Sequence, residues 1–143
     1  MFVALKKPQN LVQENLFSCD IPLRFLDMNA GQHLSNHIIL DYFNEAISMF
    51  LGKHDMTFSD VDGLHLVFAA ANLKFKKPVF YPNRMKVMLH VLSLSKLKLC
   101  FYNELYNEAG DLCALGAIEC AFVAGDGGRP DPVPEKLIQC IMR

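Results

Sequence analysis

The chain has 143 residues, a length that suits one ordinary domain and is too short for two well-filled ones. Its apolar residues make up 52% and its charged residues 20%, which supports a packed core and excludes intrinsic disorder. The 14 basic and 15 acidic residues give a net charge of −1, so we expect no nucleic-acid partner. A mean hydropathy of +0.18 indicates either a large core for this length or apolar surface that a partner or a ligand covers.

The five cysteines show no CxxC pair, no zinc-ligand spacing and no disulfide framework. We therefore expect buried, reduced thiols in a cytoplasmic protein, without a metal. The first ten residues hold an apolar run of only five before Lys6 and Lys7, which is too short for a signal peptide. The longest stretch of low charge, 63–73, falls far short of the ~20 residues of a membrane-spanning helix.

The N-terminal third predicts a peripheral arm, a strand and a loop. Residues 1–15 are mixed and increasingly polar, which is typical of an arm. Loose apolar alternation predicts a strand over 16–25, and Pro22 places it at a sheet edge or a bulge. Residues 26–33 are rich in turn formers and predict a loop.

The strongest helix signal covers 36–52, where apolar residues recur every three or four positions. Ser35 or Asn36 can cap its start, and Gly52 suits its end. Additional apolar positions extend the stripe almost around the cylinder. We therefore expect the helix to be buried on most sides, as happens when a sheet wraps it.

Four strand-like runs with clear breakers between them follow a polar turn; they cover 64–76, 84–93, 98–107 and 112–123. Their short connections favour an antiparallel meander. A tail over 125–143 carries a short helix from Glu135. One strand, one buried helix and four strands predict a single α+β domain. Because one helix cannot cover both faces of such a sheet, a second subunit is expected against the other face or an edge.

A polar cluster lies directly ahead of the long helix, within ten residues: Asp27, Asn29, Gln32, His33, Ser35 and Asn36. The first N–H groups of a helix have no intrahelical partner and lie at the positive end of its dipole, so they can bind a carbonyl oxygen or an oxyanion. Histidine titrates near neutral pH and can act as a general base. A purely structural interpretation, with turn formers and a helix cap, remains open.

Residues 26–46, LDMNAGQHLSNHIILDYFNEA, resemble the signature of the hotdog-fold acyl-CoA thioesterases of the 4-hydroxybenzoyl-CoA thioesterase type. That signature runs Asp-x-Asp-x-x-Gly-His-x-x-Asn and continues into a helix ending in Tyr-Phe-x-Glu-Ala. The residues in register are Asp27, His33, Asn36, Tyr42, Phe43, Glu45 and Ala46. Weaker matches at 72–87, 107–124 and 128–137 extend the resemblance over about 16–137.

The resemblance implies a hotdog fold, a long central helix wrapped by a five- or six-stranded antiparallel sheet. It also implies homodimers or dimers of dimers, with an acyl-CoA or acyl-carrier thioester bound at the subunit interface. Coenzyme A is then part of the substrate, and no further cofactor is expected. The implied catalytic residues are Asp27, Asn29 and His33. The implied substrate-binding residues are Gly31, Gln32, Leu34, Ser35, Asn36, Phe43, Ser95 and Lys96.

The sequence departs from the pattern at two positions. Asn29 occupies the place of the second Asp, whose carboxylate acts in relatives as nucleophile or general base. An amide does neither at neutral pH. Gln32 replaces the Gly that precedes the histidine in the pattern, and such a Gly allows a ligand carbonyl to approach the backbone closely. Gly31, one residue earlier, could take over that role.

Three mechanisms are open. Asn29 orients a water that His33 or Asp27 deprotonates, with the oxyanion held at the helix N-terminus. Alternatively, Glu45 supplies the base from the helix. In the third, the protein binds the thioester and hydrolyses it poorly or not at all. A hydratase acting on the acyl chain is a further option, although the cluster resembles the thioesterase branch.

The middle of the chain is locally basic, at Lys74, Lys76, Lys77, Arg84, Lys96 and Lys98. These residues form either a solvated face or a binding surface for the phosphates of coenzyme A.

Overall fold

A computed structural model describes residues 8–125 and 128–143, and its α+β architecture confirms the predicted fold class. The strands are β1 Gln13–Pro22, β2 His65–Phe75, β3 Arg84–Leu94, β4 Leu99–Tyr106, β5 Leu112–Val123 and the short β6 Pro130–Asp131. The helices are α1 Asn36–Lys53 and α2 Glu135–Met142, and a 3₁₀ turn covers Phe25–Asp27.

The sheet has the strand order β1-β3-β4-β5-β2, with β6 paired to β5, and every pair is antiparallel. The expected meander holds for β3, β4 and β5 and is wrong for β2, which pairs with β5 instead of β3. The connection 76–83 contains Pro78 and Pro82, which cannot donate to a ladder, and it is too long for a tight hairpin. It therefore does not hold β2 next to β3, and β2 forms an edge of the sheet.

The first strand begins earlier and ends earlier than predicted: it runs from Gln13 to Pro22, against an expected 16–25. Its pairing with β3 is irregular between Gln13 and Phe17, where Asn15 has a φ of 53°. A bulge of this kind interrupts the apolar alternation, so the sequence pattern does not indicate where the strand begins. Of the predicted arm, residues 8–12 are described and precede the sheet.

The long helix confirms its predicted extent to within one residue, since it ends at Lys53 instead of Gly52. Its apolar face packs on the inner side of the sheet and buries Ile39, Phe43, Ala46, Ile47 and Phe50. Ser35 occupies the N-cap position, but within the described chain its side chain makes no capping hydrogen bond, so the predicted side-chain cap is wrong. The start of the helix therefore keeps free backbone donors.

None of the five cysteines is in a disulfide, and four of them are buried. Burial, with a smaller contribution from nearby carboxylates, raises the pKa of the Cys19 and Cys100 thiols to about 11. Such thiols stay protonated and unreactive at neutral pH. None of the helices in the described ranges is both long and apolar enough to cross a membrane.

Candidate active site

The segment ahead of α1 is fixed by a buried carboxylate. Asp27 is only 2% exposed and accepts hydrogen bonds from the Tyr42 hydroxyl at 2.6 Å and from Arg24 Nη2 at 2.8 Å. Burial alone would raise the pKa of Asp27, but the hydrogen bonds from Arg24 and Tyr42 outweigh it and hold that pKa below its usual value. Burial and the Asp27 carboxylate raise the pKa of the Tyr42 phenol. Asp27 is therefore an anion that ties the 3₁₀ turn to the helix.

A tight turn then presents Asn29 to His33. The Asn29 Oδ1 atom accepts the Gly31 N–H at 2.8 Å, and the Asn29 carbonyl accepts the Gln32 N–H at 3.0 Å. The Asn29 N–H in turn donates to the His33 carbonyl at 2.9 Å. A short amide side chain that bonds the backbone two residues on is the reason Asn suits such a turn.

Gly31 and Gln32, the two residues before His33, differ in their backbone conformation. Gln32 takes the left-handed conformation, with a φ of 64°, at the position where the family pattern has Gly. Gly31 does not have a positive φ, and its role in letting a ligand carbonyl approach the backbone stays a prediction. A Cβ on Gly31 would lie 3.3 Å from both Asn29 Oδ1 and His33 Nε2, so this glycine provides room for the Asn29–His33 pair.

The contact between Asn29 and His33 determines which nitrogen of the imidazole is basic. Asn29 Nδ2 lies 3.3 Å from His33 Nδ1, and Asn29 Oδ1 is already bound to a backbone N–H. The hydrogen-bond pattern thus assigns Nδ1 as the acceptor and places the hydrogen of the neutral ring on Nε2. The Leu34 carbonyl lies 3.4 Å from Nδ1, but a hydrogen on Nδ1 that donated to it would also face the N–H donor of the Asn29 amide. The ring packs edge-on against Phe80.

The start of α1 leaves two backbone donors. Leu34 and Ser35 use their N–H groups internally, on the carbonyls of Val79 and Asp27. Within the described chain, this leaves the N–H groups of Asn36 and His37 as the open donors, because the Ile38 N–H is bonded to the Ser35 carbonyl. The first turn of the helix holds no acidic residue. An anion or a polarised oxygen would be stabilised here.

Two cavities flank this cluster. One, of about 210 Å³, lies between His33, Asn36 and the end of β2 at Phe75. The other, of about 500 Å³, is lined by Phe25, Leu26, Met28, Asn29, Ala30, Gln32 and Tyr81.

The larger cavity adds residues that sequence reasoning missed. Phe25 and Leu26 are 70% and 89% exposed, and Phe25 packs edge-on against Tyr81 with ring centroids 5.8 Å apart. The sequence feature that could have indicated this cavity is the pair of bulky apolar residues next to a segment of turn formers. Asn29 therefore faces an apolar recess on the protein surface.

Two predicted residues on α1 lie away from Asn29 and His33. Glu45 is exposed and lines a cavity of about 420 Å³ with Asp27 and Asp41, and the residues that line this cavity do not include Asn29 or His33. Phe43 is fully buried in the core between the helix and the sheet. Leu34, in contrast, follows His33 and lines the 210 Å³ cavity with it, although at 2% exposure most of its side chain belongs to the core.

Ser95 and Lys96 are separated from the cluster by the length of a strand. They form the turn after β3, where the Lys96 carbonyl accepts the Val133 N–H at 2.9 Å. The polar cluster lies at the opposite end of β3, because the Leu23 N–H donates to the Asn83 carbonyl. An 11-residue strand spans about 35 Å. One chain cannot bring these two parts of the predicted site together.

Two of the lysines in the basic region have acidic neighbours. Lys77 lies 3.4 Å from Asp111, and Lys98 lies 3.7 Å from Glu119. Exposed pairs of this kind contribute little to stability. Both interpretations of the basic region therefore stay open.

The fold and this arrangement define a class of protein. A family model described as "Thioesterase-like superfamily" matches residues 23–141, and the chain belongs to that superfamily. Its architecture is the hotdog fold, as the resemblance implied. None of the curated proteins matches the chain.

Two solved structures illustrate the similarity in fold. The DHNA-CoA thioesterase from Staphylococcus aureus is 23% identical with a TM-score of 0.74, over 80% of this chain and 78% of that one. The 1,4-dihydroxy-2-naphthoyl-CoA thioesterase from Synechocystis is 19% identical with a TM-score of 0.80, over 87% of this chain and 94% of that one.

Proposed function

We propose that the protein is an acyl-CoA thioesterase, which hydrolyses a thioester to the free acid and coenzyme A. The observation that carries this proposal is the Asn29–His33 pair beside the open N–H groups at the start of α1. Membership of the thioesterase-like superfamily supports it. The similarity in fold to two thioesterases of aromatic CoA esters is consistent with it.

In the proposed reaction, the thioester carbonyl oxygen lies at the N–H groups of Asn36 and His37. Donation from Asn29 Nδ2 makes Nδ1 the basic nitrogen of His33. When the Asn29 amide turns from Nδ1 to hold a water, the released Nδ1 lone pair accepts a proton from that water. The water oxygen bonds to the carbonyl carbon, and the negative charge on the oxyanion is stabilised by the helix N-terminus. The C–S bond then breaks, and the coenzyme A thiolate takes up the proton.

His33 suits the role of the base better than the two carboxylates. The oxygens of Asp27 are occupied by Arg24 and Tyr42, so we assign Asp27 a positioning role. Glu45 lines a different cavity, and we expect Glu45→Gln to leave most of the activity intact. Loss of activity in that variant would instead favour the mechanism with its base on the helix.

We propose that the working unit is a dimer paired through β2. This edge strand is long and apolar, and its central residues from Val67 to Ala71 are exposed. A strand of this kind that is left unpaired invites association. Two copies can pair in antiparallel fashion about a two-fold axis, in which the same strand meets itself.

Such a dimer would complete the site. The Phe75 end of β2 borders the cavity of His33 and Asn36. The His65 end of β2 pairs with Val123 of β5, and this end of the sheet also holds the turn of Ser95 and Lys96. Antiparallel pairing would place the His65 end of one copy beside the Phe75 end of the other. Ser95 and Lys96 of a second copy would then lie near the polar cluster of the first, and Lys96 could attract a phosphate of coenzyme A.

The proposal is tested by offering purified protein a panel of acyl-CoA thioesters with a thiol-detecting dye. We expect turnover of at least one of them and a loss of about 100-fold in His33→Ala. His54→Ala, at the other end of α1, is the matched control and should retain activity. No turnover of any thioester, or no effect of His33→Ala, would contradict the proposal.

A second candidate is a protein that binds the thioester without hydrolysing it, and the amide at Asn29 favours it. In that case a non-hydrolysable thioether analogue of acyl-CoA would raise the melting temperature while no thiol is released. Hydrolysis that is lost in Asn29→Ala, with binding of the analogue retained, would exclude this alternative.

A further inference from the structure

A polar side chain without a partner lies in the middle of the core. Asn103 on β4 is fully buried, and within the described chain neither its Oδ1 nor its Nδ2 atom has a hydrogen-bond partner. Its neighbours two residues away, Phe101 and Leu105, belong to the core cluster under α1. A buried amide left unpaired costs desolvation free energy that a Leu at the same place would not. This residue therefore points to something that completes its hydrogen bonds.

Asn103 belongs to a row of paired residues that reaches the exposed edge of the sheet. It pairs with Leu89 on one side and with Gly116 on the other, and Gly116 pairs with Leu73 of β2. Directly paired residues project from the same face of an antiparallel sheet. The position between the buried amide and the edge strand is thus a glycine, which leaves a gap in the inner face.

Two side chains close this gap. The Cδ2 atom of Leu73 occupies the place where a Cβ of Gly116 would lie, and the Phe43 ring is 3.2 Å from that place. Leu73 is half-buried on the edge strand, so its terminal methyl group can rotate away. Rotation would open a slot that leads from the β2 edge, past Phe43, to Asn103.

We propose that this slot receives the acyl chain of the substrate and that Asn103 determines specificity at its closed end, by hydrogen bonding an oxygen carried by that chain. The inference rests on the proposed thioesterase function and names the substrate class: an acyl group with a distal hydroxyl or oxo group. The carboxamide can both donate to and accept from a hydroxyl. Leu73 acts as the gate of the slot.

The geometry also sets the length and width of the acyl group. Seven residues of α1 separate Asn36, at the proposed oxyanion site, from Phe43, which is about 10 Å along the helix axis or roughly the reach of an eight- to ten-carbon chain. The space that Leu73 vacates is the width of one branched aliphatic side chain. A linear chain fits it better than a fused ring.

The kinetic test compares 10-hydroxydecanoyl-CoA with decanoyl-CoA. We expect the wild type to prefer the hydroxylated thioester about tenfold in kcat/KM, since the pairing of one buried polar group is at stake. In Asn103→Leu the preference should vanish or reverse. The matched control is Leu105→Val, an equally buried position on the same strand, which should leave the ratio unchanged. If the ratio of kcat/KM for the two thioesters is the same in the wild type and in Asn103→Leu, the proposal is overturned. The amide would then hydrogen bond only to an internal water.

A binding test separates this inference from the proposed function. Melting temperatures are measured with 10-hydroxydecanoic acid and with decanoic acid. The hydroxy acid should raise the melting temperature of the wild type more, and Asn103→Leu should respond equally to both acids. A wild type that shows this difference without hydrolysing any thioester would support the slot and contradict the thioesterase. Hydrolysis without any difference between the acids would do the reverse.

A second variant covers the case in which Asn103→Leu does not fold. Gly116→Ala places a methyl group against Leu73 and Phe43, and it should remove the response to the hydroxy acid by closing the slot. Leu73→Ala, at a half-buried position on the edge strand, should enhance that response by opening it. Unchanged responses in both variants would overturn the gate.

Discussion

The amide nitrogen of Asn29 lies 3.3 Å from Nδ1 of His33, at the position where the family pattern carries a carboxylate. An amide at this place donates to the imidazole, whereas a carboxylate would accept from it. The exchange therefore reverses the tautomer of the ring and with it the nitrogen that can take up a proton. In the proposed mechanism, the basic group therefore moves from residue 29 to the histidine.

Asn29→Asp restores the carboxylate, and we expect it to raise the rate of acyl-CoA hydrolysis by about tenfold or more. The new carboxylate would supply a base or a nucleophile next to the open N–H groups of the helix. Thiol release under saturating substrate measures the effect. Asn107→Asp, in the β4–β5 hairpin where the Asn side chain also accepts a backbone N–H, is the control. A lower rate in Asn29→Asp would show that the amide itself is required.

Asp27→Asn should lower the free energy of unfolding by about 2 kcal/mol at pH 7, since the hydrogen bonds from Arg24 and Tyr42 are to a charged group. The folded state lowers the pKa of Asp27, so its contribution is present above the pKa of an unfolded Asp, about 4, and is lost as the pH falls through the folded value. Urea unfolding at pH 7, 5 and 3.5 should show a constant difference from the wild type that shrinks only at the lowest pH.

The exposed Asp41→Asn variant on the same helix serves as the control for Asp27. It should change the unfolding free energy little at any of these pH values. A difference between Asp27→Asn and the wild type that stays the same down to pH 3.5 would contradict the assignment of Asp27 as a stabilised anion.

Gln32→Gly should stabilise the fold by about 0.5 kcal/mol, because it relieves the left-handed conformation at the cost of a more flexible unfolded chain. Thermal unfolding gives the sign of the change. Gln139→Gly, in the exposed face of α2, should instead destabilise by up to about 1 kcal/mol. If both variants are destabilised alike, the backbone at Gln32 is not strained.

Val67→Lys places a charge on the exposed edge of β2 and should yield a monomer, which light scattering detects. Because Ser95 and Lys96 of a second copy would then be lost from the site, acyl-CoA hydrolysis should fall with the dimer. Met142→Lys introduces the same charge at an exposed position of α2 and should leave the assembly intact. A dimeric Val67→Lys protein with full activity would place the interface elsewhere.

The sequence predicts the elements that carry their own periodicity. The stripe of α1 and the limits of β5 follow from local patterns, and the structure reproduces them to within one residue. The place of β2 at the sheet edge depends on pairing between distant strands, which local alternation does not encode. The bulge at Asn15 and the left-handed conformation of Gln32 depend on tertiary contacts, so the backbone preferences of the single residues do not predict them. Similarly, the motif predicted the candidate site, whereas the hydrogen bonds of Asp27 and Asn29 could not be predicted from it.

The Asn29–His33 contact is tested most directly by a double-mutant cycle in kcat/KM for acyl-CoA hydrolysis. The wild type, Asn29→Ala, His33→Ala and the double variant are compared at one pH, with their folded state checked by thermal unfolding. If the two side chains act as one unit, the double variant loses no more activity than His33→Ala alone. Losses that multiply in the double variant would show that the two residues act independently. That result would contradict the assignment of His33 as a base whose tautomer is fixed by Asn29.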